Sequence, residues 1–274
     1  MTATMAPGRP LLLDRYDEND LLAMFAEAGV LEAIEKRGFG DPAIDIDASS
    51  GPLIHTRLFA AKNGRRFLLL DTCLTELRLD ARDVARYGTT GAGSFDLVVV
   101  YWLREQDPTA TFDPRHERLP LQEHPGLGVL RRAFRVALRI SKDLGKHGIA
   151  ALPKYFHDAA IFYRSRLFLF LDPREQGRFE ALLRDLTALS LGDASLALLG
   201  NAVRDRCGVT AAWQPGLQVM PLSPELTACF HSTEYQTECR EEFEGSSFGV
   251  DPAALAAARE VFEQSLARGP AVEE

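Results

Sequence analysis

The chain has 274 residues and a formal net charge of −8, with 46% hydrophobic and 26% charged residues. That composition supports a globular core and excludes wholesale disorder, and the acidic balance argues against binding nucleic acid or an anionic membrane over a broad surface. No apolar run reaches the ~18 residues of a membrane-spanning helix, and the opening apolar stretch, Pro10 to Leu13, is too short for a signal-peptide core.

In chain order, apolar residues from Leu21 to Ile34 recur at helical spacing and predict one helix over 19–38, capped by Asp17 or Asn19 and ended by Gly38. Residues 40–52, rich in Asp, Pro, Ser and Gly, read as a loop. Strands follow over 54–60 and 67–79, joined by a hairpin turn at Asn63-Gly64. A glycine-containing loop with Gly88, Gly91 and Gly93 leads to Phe95–Leu103, whose β-branched and aromatic run predicts a central strand buried on both sides.

Asp107-Pro108 and Asp113-Pro114 mark an exposed excursion over 105–116, and 118–122 reads as a short strand. The turn Glu123-His124-Pro125-Gly126-Leu127-Gly128 then enters an amphipathic helix running to Gly145, with Val129, Val136 and Ile140 on one stripe and arginines on the rest. Strands over 149–152, 167–171 and 217–221 alternate with helices over 157–163, 173–186, 194–203 and 252–267, and the section between 221 and 252 reads as loop-rich. Cys73, Cys207, Cys229 and Cys239 stand far apart with no CxxC pair, which fits a reducing cytoplasm better than a disulfide framework.

A glycine turn at a helix start has chemical meaning. The first amides of a helix lack intrahelical partners and carry the positive end of its dipole, so a backbone freed of side chains there cradles an anion. Gly126-x-Gly128, followed by Arg131, Arg132, Arg135 and Arg139, is a candidate of this kind, beside the bland reading of a Pro-Gly helix start with a solvated basic face.

Residues 158–168, Asp-Ala-Ala-Ile-Phe-Tyr-Arg-Ser-Arg-Leu-Phe, resemble the N-A-x-x-F-Y-x-x-x-G-F stretch that closes the core of the GNAT family of N-acyltransferases. Asp158 stands for the Asn, Ala159, Phe162, Tyr163 and Phe168 match, and Leu167 replaces the glycine. The turn is similar to the family's R/Q-x-x-G-x-G/A, with Glu123 at its first position and Gln122 beside it. The resemblance covers about 95–171, under a third of the chain.

The resemblance implies a mixed, mostly antiparallel sheet of six or seven strands flanked by helices, an acyl-CoA-binding core over 1–172 and a C-terminal extension over 173–274. It implies acetyl-CoA or a longer acyl-CoA as co-substrate and no metal. The pyrophosphate would rest on Gly126, Leu127, Gly128 and Val129 with Gln122 and Arg131 alongside, in a V between the strand ending near Gln122 and that at 149–152. Tyr163 would give the leaving thiolate a proton, or simply pack under the sheet. His157 and Glu123, with His124 and Glu117 as rivals, are candidate bases, each against the reading of a cap or solvated residue.

The resemblance implies a small-molecule or peptide amine as acceptor. The donor could instead ride on an acyl carrier protein docked on the arginine face, as in GNAT-like N-acyl amino acid synthases. A non-catalytic binding protein of the same fold and an unrelated α/β enzyme are further readings. Trp213, Phe230, Tyr235 and Phe243 are candidates for a lid or a homodimer surface, and His116, His124 and His157 for a metal, although nothing in their spacing demands one.

Overall fold

Asn63 and Gly64, with φ of 51° and 72°, turn the chain tightly between β2 (Leu53–Lys62) and β3 (Arg65–Asp80), the paired positive φ values that a two-residue hairpin requires. This computed structural model describes residues 10–80, 84, 94–113, 117–165 and 167–267. Among them lies a seven-stranded, mostly antiparallel sheet in the order β1-β2-β3-β4-β5-β8-β6, flanked by helices, with a separate two-stranded ladder, β7-β9. The chain folds as two compact units that interleave in sequence, 1–77 with 97–110 and 124–146, and 78–96 with 111–123 and 147–274. The division therefore does not fall at residue 172.

In the first unit, α1 (Glu18–Glu27) starts on Asp17, whose carboxylate accepts from the amides of Asn19 and Asp20 at 2.8 and 2.9 Å. The single helix expected over 19–38 is two, because Gly29 at φ 77° breaks it before α2 (Val30–Glu35). The expected loop over 40–52 is β1 (Gly40–Ser50). Ile44 and Ile46 point into the core there, while Asp45 and Asp47 face out, both within reach of Arg57 of β2 at 3.3 and 3.5 Å. That cross-strand pairing offsets the low strand propensity of aspartate.

β4 (Ser94–Glu105) is buried over 97–100, but Tyr101 and Trp102 emerge toward solvent. The expected strand over 118–122 is a turn instead. Leu121 takes a φ of 64°, the amide of Gln122 donates to the Leu119 carbonyl at 3.1 Å, and Arg118 Nε donates to the Gln122 carbonyl at 2.6 Å. Helix α3 (Leu130–Asp143) buries Val136 and Ile140 and presents Arg131, Arg135 and Arg139 outward.

In the second unit, β5 (Gly148–Ala151), β8 (Gln218–Pro221) and β6 (Leu169–Phe170) pair antiparallel. Helices α4 (Phe156–Arg164), α5 (Pro173–Asp185) and α6 (Leu191–Leu199) pack around Phe156, Phe170 and Phe179. The stretch read as loop-rich holds α7 (Pro224–Phe230) and α8 (Thr233–Gly245), each opened by a serine cap, Ser223 and Ser232. Then β9 (Phe248–Val250) pairs with β7 (Val203–Asp205), and α9 spans Pro252–Ala267 as its periodicity predicts. Trp213 packs edge-on against Phe156, and Phe230 and Tyr235 are 1% exposed, so all three pack against the core.

Candidate functional site

The apolar run that makes β4 a strand ends in Arg104-Glu105, and its last carboxylate reaches the start of α3. No side chain of α3's own cap residue, Val129, can satisfy the first amides. Glu105 does so: Oε1 accepts from the Gly128 amide at 3.2 Å and Oε2 from the Val129 amide at 3.0 Å, with the Leu130 amide also bonded to it. Burial pushes the Glu105 carboxyl above the usual carboxylate range, while the Val129, Gly128 and Leu130 amides and the Arg37 guanidinium pull against that rise.

Local geometry makes this reach possible. The Asp107 amide donates to the Pro125 carbonyl at 2.7 Å, tying the end of β4 to the glycine turn. Asp107 is buried, which raises its carboxyl, but bonds from the Thr109 hydroxyl and amide at 2.8 and 3.0 Å and from Arg37 at 3.3 Å outweigh burial and hold it low. Gly128 sits at φ 67°, where a side chain is strained. A Cβ on it would lie 3.8 Å from Arg37 Nη2, and one on Gly126 would lie 3.2 Å from Glu105 Oε1. Amides, carboxylate and guanidinium thus form a preorganised anion cradle whose anion is the protein's own.

Of the other residues expected at this cradle, Leu127 and Val129 bury their side chains, only Val129 giving its amide to Glu105, and Arg131 is exposed on α3. Gln122 is folded into its own turn, its Oε1 accepting from the Leu119 amide at 3.1 Å. Glu123 is exposed, with its carbonyl 3.4 Å from Arg118 Nη2.

The expected catalytic pair in the second unit is tied internally. The Tyr163 hydroxyl donates to Glu180 Oε1 at 2.7 Å, and its ring meets Phe179 edge-on at 5.3 Å. Gln176 Nε2 donates to the same Glu180 oxygen at 2.6 Å, while Cys239, pushed up to about 11 by burial and then by Glu180, lies 4.0 Å from the other oxygen. His157, 6% exposed, has Nδ1 2.7 Å from Ser195 Oγ and Nε2 3.5 Å from Asp158 Oδ1, and stacks on Tyr155. Burial lowers the His157 imidazole and raises the Asp158 carboxyl, each partly opposed by the other. Asp158 also accepts from the Tyr155 amide at 3.3 Å, acting as a cap at the start of α4.

Glu117, a rival base, is engaged too, accepting from the Ser190 hydroxyl and, at 2.9 Å, from the Gly192 amide at the start of α6. His116 and the loop glycines Gly88, Gly91 and Gly93 lie outside the described residues. Among the described residues, no group of three or more His, Cys, Asp or Glu is placed to hold a metal ion.

Sequence reasoning missed Glu105, placing it at the head of an exposed excursion, and missed Arg37 and Glu180 altogether. The available signal for Glu105 was an acidic residue closing a buried strand just ahead of a glycine turn.

No family model matches the chain, and no curated protein matches it. Two solved structures are similar to it. One, described as a bacterial toxin, has a TM-score of 0.34 and 13% identity over 66% of this chain and 74% of its own. The other, a tyrosine-to-phenylalanine variant of KacT, has a TM-score of 0.31 and 14% identity over 44% of this chain and 66% of its own. Likenesses of this size assign neither family nor activity.

Proposed function

We propose that the protein is an N-acyltransferase that binds an acyl-CoA through the start of α3, with Glu105 occupying the diphosphate position until the donor displaces it. The observation that carries this reading is the convergence of the Gly128, Val129 and Leu130 amides, with Arg37 nearby, on one carboxylate whose burial raises its pKa. Amides already arranged around an anion need no reorganisation to hold another, and a carboxylate destabilised by burial is the more readily exchanged.

The chemistry follows from the GNAT resemblance. The amine nitrogen attacks the thioester carbonyl carbon, the C–S bond breaks, the ammonium loses a proton to base, and the departing thiolate takes one. Tyr163 is the acid the resemblance nominates, with its hydroxyl pre-oriented by Glu180. His157 and Glu123 remain the nominated bases. The acceptor class is a small-molecule or peptide amine, and the four free thiols fit a reducing cytoplasm. Among the described residues no helix is long and apolar enough to cross a membrane.

A second reading, a non-catalytic binding protein of the same fold, is favoured by one observation: Glu105, Tyr163 and His157 each already bond to a protein partner. Melting temperature separates the two, since a ligand of the native state must raise it. Acetyl-CoA and longer acyl-CoAs should raise the Tm of wild type slightly and of Glu105→Ala more, and amine-dependent release of free thiol should fall in Tyr163→Phe. A Tm that no acyl-CoA moves in either protein overturns the acyl-CoA reading. In that case, capture of acyl carrier protein by the exposed Arg131 and Arg135 face would redirect the donor, and failure of that too leaves the non-catalytic protein.

A further inference from the structure

The inner face of the first unit contains a cavity walled by α1, α3 and the strands β2, β3 and β4. Its walls are almost wholly aliphatic and aromatic, with Leu21, Phe25, Val100, Leu103 and Phe134 among them, and Thr56 and Thr72 are its hydroxyl-bearing residues. The cavity has a volume of about 40 Å³. That is about three times what a single water needs, room for a small molecule of a few heavy atoms.

The two threonines are direct cross-strand partners, but their hydroxyls differ. Thr72 Oγ1 donates to the Thr56 carbonyl at 3.2 Å. Thr56 is 2% exposed, and its Oγ1 has no hydrogen-bond partner among the described residues. On the same face of β2, Leu58 and Ala60 are fully buried, so a valine would suit position 56 by every packing criterion. A buried hydroxyl without a partner costs stability, and a side chain of the same shape without the oxygen would not.

We infer that this cavity is a binding site for a molecule with an aliphatic body and one hydrogen-bonding oxygen, hydroxyl or carbonyl, which pairs with Thr56 Oγ1. The inference does not rest on the acyl-transfer reading, because wall and hydroxyl define the ligand class without reference to the α3 start.

The test uses 1-butanol and its oxygen-free analogue 1-chlorobutane, titrated against the whole protein while the methyl resonances of cavity leucines and valines are followed by NMR. Because the alcohol gives up more hydration than the chloride, the reading is how the alcohol-to-chloride affinity ratio changes between proteins. In Thr56→Val that ratio should fall about fivefold, the loss of one hydrogen bond, with the chloride bound as in wild type, and the ligand-free variant should melt about 2 °C higher or more. Thr56→Ser, which keeps the hydroxyl, should keep the wild-type ratio. A ratio that Thr56→Val leaves unchanged, or cavity methyls that neither probe moves, overturn the inference without touching the acyl-CoA titration. A ligand-free Thr56→Val that melts lower than wild type also overturns it, since the hydroxyl would then have had a partner all along.

Discussion

Helices α3 and α6 both start on a glutamate supplied by a different segment of the chain, and the two starts are built differently. At α6, Ser190 is a cap in its own right, accepting from the Asp193 amide at 3.1 Å, and Glu117 bonds both the Ser190 hydroxyl and the Gly192 amide. A Cβ on Gly192 would come within 2.5 Å of Glu117 Oε1, and Asp193 is clamped by Arg259 through two bonds of 2.7 and 2.6 Å. At α3 there is no local cap, Gly128 is exposed, and the amides are held by Glu105 beside Arg37. One carboxylate is a strut beside a serine cap. The other, on our proposal, holds the place of an external anion.

This contrast can be broken or sharpened by substitution. The largest effect should come from Gly192→Ala, whose methyl group must push the Glu117 carboxylate out of its place. It should lower the unfolding free energy by about 2–3 kcal/mol, read from urea midpoints, as overpacking does. Gly128→Ala meets only ordinary contact with Arg37 and suffers its positive φ, at about 1 kcal/mol. The reverse order would erase the distinction between the two starts.

Next in size, Glu117→Ala should cost about 2 kcal/mol and Glu105→Ala about 1 kcal/mol, because removing Glu105 also relieves a carboxylate that burial destabilises. Equal losses would make Glu105 as structural as Glu117. Smaller still is a pH effect. Glu105 binds its proton more tightly folded than unfolded, so its contribution to stability is full below the unfolded value near 4.5 and is lost as pH rises through the higher folded value. Wild type should therefore lose stability relative to Glu105→Gln as pH climbs from about 4 toward neutrality, in urea titrations at each pH. A difference that stays flat or grows the other way would mean the carboxyl is not destabilised where it sits.

The sequence revealed α3, the hairpin and α9 because each carries its own periodicity or turn chemistry: the stripe Val136–Ile140, the pair Asn63-Gly64, the run from Pro252. It misread β1, since Asp45 and Asp47 look like loop residues until Arg57 from the next strand pairs with them. The glycine turn was legible as a helix start with unpartnered amides, but the carboxylate that holds them was not. Glu105 lies more than twenty positions upstream, and only the Asp107–Pro125 tie brings it there. Tyr163 was legible as a motif residue, yet its partner Glu180 comes from α5, which local patterning cannot connect to it.

The amide resonances of Gly128, Val129, Leu130 and Gly192, followed in ¹⁵N spectra as acyl-CoA is added, test the central claim most directly. Gly128 to Leu130 should shift in wild type and shift at lower acyl-CoA concentration in Glu105→Ala, while Gly192 stays still in both. If the α3 amides do not move in either protein, or Gly192 moves as far as they do, the start of α3 is not a site for an external anion.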